Sequence, residues 1–188
     1  IMKQIFEHCG MPVARGQRFI DTDTSLDVAE TLGYPLILKP DEGVGAGGIS
    51  KIENKNQLKS HLSAITEDYL IEEFIDGSIV TYDGLTDYNG NVVFESSLIY
   101  GDGVLEYVLG KDTFFYVNRH IPDELRAAGR KLVPLFKIRR KFFHFEFFIS
   151  RFYSEIILKE LRFVNFNKSK PEVISVIRGE KLIIFFTI

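Results

Sequence analysis

Lys39 ends an apolar run, "YPLILK", and four glycines follow within six positions: Gly43, Gly45, Gly47 and Gly48. A lysine ammonium is a compact, mobile point charge. A glycine-rich loop lets backbone N–H groups approach an anion without Cβ obstruction. Together they suit a phosphate. Further along, "YLIEEFIDG" sets Glu72 and Glu73 in an apolar strand, with Leu70, Phe74 and Ile75 able to sandwich a flat ring and the strand edge offering alternating donors and acceptors. "FFHFEFF" then places Glu146 among phenylalanines. A carboxylate there is costly to bury unpaired, so an inward-facing Glu146 needs a hydrogen-bond partner or a cation, for which Mg²⁺ is a natural choice. Each feature has a plainer reading: a hairpin tip, two carboxylates in water, a solvent-facing Glu146. His144, on the same face, reads as a structural neighbour.

The elements that position these residues can be read from periodicity and punctuation. "MKQIFEHCG" is the end of a helix stopped at Gly10, and "MPVARGQRFI" holds a short strand. "DTDTSLDVAETLG" is a helix with Thr24 or Ser25 as N-cap and Gly33 at its end. "PLILK" and "GISKIE" are strands joined by the glycine loop as a hairpin. A helix begins near Asn56, and "YLIEEFIDG" is a strand entering a turn. Residues 78–100 form a hairpin or meander with Asn89-Gly90 as a two-residue turn. "IPDELRAAGRKLVPLF" is a helix with Pro122 at its first turn. "KFFHFEFFI" alternates, with Phe142, His144, Glu146 and Phe148 on one face, and "EIILKELRFVNF" and "EKLIIFFTI" are further strands.

The flanks of the glycine loop discriminate among phosphate binders. A dinucleotide fingerprint opens a helix, yet a strand follows here; a Walker A loop has Lys directly after its last glycine, yet Ile49 follows Gly48. A kinase loop carries its lysine on a later strand, whereas Lys39 precedes the loop. The order strand, Lys-Pro, acidic residue, glycine loop, strand resembles the ATP-grasp superfamily, which includes carboxylate–amine ligases, biotin carboxylase and carbamoyl-phosphate synthase. "YLIEEFIDG" looks like that family's adenine-holding segment and "FFHFEFF" like its strand bearing the first metal carboxylate. The resemblance covers about residues 1–148 and lies in the order and spacing of the pieces.

The resemblance implies an α+β, ATP-grasp fold: two lobes with antiparallel sheets and the nucleotide cleft between them. It places 12–72 in a small lobe with the glycine flap and 73–188 in a larger lobe, atypical after about 149, with 1–11 the end of a truncated helix. It implies ATP bound by Lys39, Gly43, Gly45, Gly47 and Gly48, with Glu72 accepting from the adenine amino group, backbone atoms of Glu73 and Ile75 reading the base edge beside Phe74, and Asp76 or Asp83 near the ribose. Mg²⁺ or Mn²⁺ would sit on Glu146 and Asn165. The implied reaction is ligation of a small carboxylate to an amine or thiol through an acyl phosphate.

Two departures accompany it. The family's E-x-N-x-R strand maps onto "RFVNFN", with Asn165 at the Asn place, Phe163 at the Glu place and Asn167 at the Arg place. An asparagine lacks the charged fork of arginine. An upstream Asp-Lys pair is also missing, with Lys3 as a substitute, so the chain reads as part of a longer enzyme. A nucleotide-binding remnant with little turnover is therefore a second reading. The tail from 149 reads as divergent or as translated in a shifted frame.

Composition sets the outer bounds. The 188 residues carry a net charge of −3, which gives no general attraction to nucleic acid. Residues 1–133 hold 12 Lys and Arg against 21 Asp and Glu, while 134–188 hold 11 against 5. The basic C-terminal part, with "KIRRK" at 137–141 as its core, is a less favoured candidate for nucleic-acid binding, and that stretch reads first as a solvated turn. Cys9 is the only cysteine, which excludes an internal disulfide framework and fits a reducing, cytoplasmic setting. No leader and no membrane-spanning run are expected.

Overall fold

The computed structural model describes residues 2–41, 48–65, 68–101, 114–150, 156–164, 173–178 and 181–186. Helix α1 is Met2–His8. Strand β1 (Gly16–Arg18), helix α2 (Thr22–Leu32), strands β2 (Leu36–Pro40) and β3 (Ser50–Ile52), helix α3 (Lys55–Leu62) and strand β4 (Tyr69–Glu73) follow. Strands β5 (Gly77–Thr86), β6 (Val92–Ser96), β7 (Leu98–Tyr100) and β8 (Phe115–Val117) precede helix α4 (Asp123–Leu135). The last strands are β9 (Phe142–Ser150), β10 (Ile156–Val164), β11 (Val173–Arg178) and β12 (Lys181–Phe186). The fold is α+β, and among the described residues every strand pairing is antiparallel. The chain divides into two compact units: β1–β4 with α2 and α3, and α1 with β5–β12 and α4.

The smaller unit is a four-stranded sheet in the order β1-β4-β2-β3. Alternation along β2 and β4 sends Leu36, Leu38 and Ile71 to one face, where Ile52 of β3 joins them. Ala29 of α2 and Leu58 and Leu62 of α3 cover that face and complete the core. The glycine-flanked helix end expected at Gly33 is present, with its N–H on the Ala29 carbonyl at 2.9 Å. The start of α2 differs from expectation. Asp21 is the N-cap, because its carboxylate takes both the Thr24 N–H (2.8 Å) and the Thr24 hydroxyl (2.9 Å). These bonds hold the Asp21 carboxyl below its usual range. Helix α3 starts at Lys55 under an Asn54 cap.

In the larger unit, β10-β9-β5-β7-β8 form the ordered path of a six-stranded sheet, with β6 also paired to β5. Strands β11 and β12 make a separate two-stranded ladder; β8 and β11 add to the elements anticipated from the sequence. The Asn89-Gly90 turn is longer than two residues. The Asp87 N–H bonds to the Asn91 carbonyl, and the Gly90 N–H to the Asp87 carbonyl, so Tyr88, Asn89 and Gly90 form a three-residue loop with Gly90 at φ 90°. The Asp87 carboxylate stabilises the longer form by accepting from the Asn89 and Asn91 N–H groups, each at 2.8 Å. Arg140, from the basic "KIRRK" stretch, lies over the Tyr88 ring at 4.8 Å and donates its N–H to the Asp87 carbonyl.

One face of the β5–β9 pair is aromatic. Tyr82, Phe143, Phe145 and Phe147 are buried with Leu125, Leu132 and Val133 of α4. Gly129 lets the helix rest directly on Tyr82: a Cβ there would lie 1.9 Å from Tyr82 Cδ1. The Tyr82 hydroxyl donates to Glu95 Oε2 at 2.8 Å, and Glu95 also accepts from Arg126 (2.8 Å) and Arg130 (3.2 Å) of α4. Burial works against charge on Glu95, but the Tyr82 and arginine donors together hold its carboxyl below the usual range. Burial, and then the bond to Glu95, push the Tyr82 phenol up to about 12.

Two measurements check this packing. Gly129→Ala removes a helix-interior glycine, worth about 0.5–1 kcal/mol in propensity, but overpacks a buried ring at a cost of about 1–3 kcal/mol. Urea unfolding should therefore give a net loss of stability, and a gain would refute the close contact. The second concerns alkaline pH. A phenol whose proton is held more tightly in the folded state stabilises that state fully only while the unfolded phenol is also protonated. The unfolding free energy should thus fall as pH rises from the unfolded value of 10.0 towards about 12. Tyr82→Phe should flatten this part of the pH profile, and an identical slope in both proteins would contradict the assignment.

Candidate functional site

In the smaller unit, the sheet face turned away from α2 and α3 carries the polar residues. Lys39 follows Leu38 and so points to that face. Its ammonium meets Glu72 Oε2 at 2.7 Å, with the lysine side chain 28% exposed. Two residues expected to serve different parts of a nucleotide are thus ion-paired with each other. Strand β4 sets Glu72 opposite Gly16. A Cβ at Gly16 would lie 2.2 Å from the Ile71 carbonyl oxygen and 2.8 Å from Glu72 Cγ, so the bare backbone of β1 makes room for the Glu72 stem.

The segment after Glu72 is tied down on both sides. Glu73 accepts from the Arg15 N–H (2.7 Å) and Arg15 Nε (2.8 Å), and its own N–H donates to the Arg15 carbonyl. The Phe74 N–H donates to the Pro35 carbonyl at 3.4 Å, and the Lys51 ammonium sits 4.5 Å from the centre of the Phe74 ring. Ile75 is half-buried. Gly48, at φ 77°, packs beside Pro40. Gly43, Gly45 and Gly47 lie outside the described residues.

In the larger unit, the second face of the β5–β9 pair is polar. Register places Thr81 opposite Glu146 and Asp83 opposite His144. Glu146 is 2% exposed, and its Oε1 lies 3.1 Å from His144 Nε2. His144 Nδ1 lies 2.6 Å from Asp83 Oδ1, while the Thr81 hydroxyl bonds to Asp83 Oδ2. Burial opposes charge on His144, but the bonds to Asp83 and Glu146 outweigh it and raise the imidazole to about 9. At neutral pH the ring is therefore an imidazolium between two carboxylates. This is the compensation that a carboxylate among phenylalanines requires. Asp83, expected near a ribose, is committed to Thr81 and His144.

Asn165 and Asn167 lie outside the described residues. Phe163, at the expected position of a second carboxylate, is opposite Phe143. The residue opposite Glu146 is Glu160, with Arg162 opposite His144. A register shift between Leu158 and Glu160 produces this alignment; an unbroken ladder would have brought Lys159 there. Among the described residues, no group of three or more His, Cys, Asp or Glu side chains is arranged to hold a metal ion. The oxygen chemistry of the buried Glu146 carboxylate fits a hard divalent cation. No helix among the described residues is long and apolar enough to cross a membrane.

Known proteins share this architecture. Residues 32–168 match the family model described as the ATP-grasp domain. D-alanine–D-alanine ligase A of Bacillus cereus is 37% identical over 62 residues, which is 31% of this chain and 21% of that protein. D-alanine–D-alanine ligase of Thermoanaerobacter sp. (strain X514) is 26% identical over 142 residues, covering 69% of this chain and 40% of that protein. The structure of carboxyaminoimidazole ribonucleotide synthase from Aspergillus clavatus, complexed with ATP, superposes with a TM-score of 0.66 at 19% identity, over 85% of this chain and 42% of that one. The chain spans less than half the length of these relatives. The family match takes in Lys39, the glycine loop, "YLIEEFIDG" and Glu146 in one continuous stretch, and the chain belongs to the ATP-grasp family.

Proposed function

We propose that this chain is the nucleotide-binding part of an ATP-dependent carboxylate–amine or carboxylate–thiol ligase. The observation that carries the reading is Lys39, held on the polar face of the smaller sheet at the root of the glycine loop and ion-paired with Glu72. Lys39 contacts the ATP phosphates and offsets charge on the transferring phosphoryl group. Backbone N–H groups of Gly43, Gly45, Gly47 and Gly48 cover the phosphates and exclude water from the reacting carboxylate. Glu72 accepts from the adenine amino group, and the backbone of Glu73 and Ile75 reads the base edge beside Phe74. The substrate carboxylate takes the γ-phosphoryl group to give an acyl phosphate and ADP. An amine or thiol then displaces inorganic phosphate.

Glu146 would hold Mg²⁺ or Mn²⁺, with Asn165 as a further oxygen donor. Bound there, the cation supplies positive charge against the phosphates. The lone Cys9 supports a reducing, cytoplasmic setting. A second reading, nucleotide binding without turnover, is favoured by Phe163, whose place opposite Phe143 leaves no carboxylate where the family pattern expects one.

ATP with Mg²⁺ at one hundred times its dissociation constant should stabilise the fold by about 2.7 kcal/mol; no thermal shift at millimolar ATP would refute both readings. ADP release with a panel of small carboxylates and amines distinguishes ligase from binder. Lys39→Ala should keep the fold and weaken ATP binding about 10- to 100-fold, the loss of a charge-assisted contact of about 1.5–3 kcal/mol. Unchanged affinity in the folded variant would remove Lys39 from the site.

A further inference from the structure

The geometry points to a positioning role for His144: the ring holds the Glu146 carboxylate in one orientation and so sets how that carboxylate receives a divalent cation. The inference rests on the proposed role of Glu146. Its support is a chain of hydrogen bonds that starts on fixed backbone. The Leu98 N–H donates to Thr81 Oγ1 at 2.9 Å. The Thr81 hydroxyl donates to Asp83 Oδ2. Asp83 Oδ1 meets His144 Nδ1 at 2.6 Å, and His144 Nε2 meets Glu146 Oε1 at 3.1 Å.

The series alternates between bonds across paired strands, Leu98 to Thr81 and Asp83 to His144, and bonds two residues apart along one strand, Thr81 to Asp83 and His144 to Glu146. Thr81 and Asp83 project from β5, His144 and Glu146 from β9, and the register couples the two pairs directly. An imidazole has two nitrogens, and the partner of one decides the duty of the other. With Nδ1 committed to Asp83, the ring plane is fixed and Nε2 is directed at Glu146. A carboxylate has about four lone-pair sites on two oxygens. A donor at Oε1 therefore limits rotation about the terminal bond without using up the acceptor capacity. Partners that orient a metal-binding group in this way are typically worth 10- to 100-fold in metal affinity.

The test uses the full chain, ADP and Mn²⁺. Titration calorimetry gives the ADP dissociation constant with and without Mn²⁺, and the ratio of the two measures the contribution of the metal. Asp83→Leu and His144→Leu, which remove the acceptor at Nδ1 and the donor to Glu146, should each lower that ratio about 10- to 100-fold and leave binding of ADP alone unchanged. A wild-type ratio in either folded variant overturns the positioning role, even if the melting temperature has dropped, because a purely structural histidine would move stability and not the ratio. Should His144→Leu not fold, Asp83→Leu, which leaves the ring in place and removes the acceptor at its Nδ1, decides the matter. If the wild-type protein itself gains nothing from Mn²⁺, the role of Glu146 fails and this inference fails with it. If the wild type gains and the variants gain equally, Glu146 stands and only His144 is dismissed.

Discussion

A buried carboxylate in a phenylalanine-rich strand dictates much of the larger unit. Leaving Glu146 without compensation would cost about 3–5 kcal/mol, the penalty of breaking a buried pair. The compensation comes from His144 two residues away on the same face, and His144 is in turn held by Asp83 across the ladder. For this to work, β5 and β9 must pair in one register. A slip of one residue would exchange the polar face for the aromatic one and set Tyr82 where Asp83 belongs. The packing of Tyr82, Phe143, Phe145 and Phe147 against α4 enforces that register from the other side. Polar and apolar faces of one strand pair thus specify each other.

The smaller unit solves a milder version of the same problem. Its sheet is apolar beneath α2 and α3 and polar on its other face. Lys39 and Glu72 come from adjacent strands and neutralise each other at 2.7 Å. The absence of a side chain at Gly16 lets the Glu72 stem lie close to β1. Arg15 and Lys51 fasten the residues that follow, so "YLIEEFIDG" leaves the sheet in a defined direction.

Much of this was legible in the sequence, because the informative residues are of strongly typed kinds. The apolar run before Lys39, the glycine loop and the alternation in "FFHFEFF" gave the β2–β3 hairpin and the polar face of β9 with Glu146 and His144 on it. The errors lie where a side chain competes for backbone or where strand pairing slips. Asp21 caps α2 ahead of Thr24 because its carboxylate reaches two donors at once. Asp87 likewise converts the Asn89-Gly90 turn from a two-residue to a three-residue loop. Glu160 was missed as the residue facing Glu146 because a bulge near Lys159 shifts the count by one, and a bulge leaves no mark in composition or alternation. The pairing of Lys39 with Glu72 was hidden for a related reason. They are 33 positions apart, and only the β2–β4 register brings them together.

That ion pair gives the smaller unit an internal competitor. An ammonium carries three N–H donors, so an anion bound at Lys39 would share it with Glu72 and bring its own charge close to the carboxylate that already lies 2.7 Å from Nζ. A ligand that brings a donor for that carboxylate is favoured over a bare anion of the same charge. Selection against inorganic phosphate and other small polyanions would then follow from the resting state of the protein, before any fit to the rest of the ligand is considered.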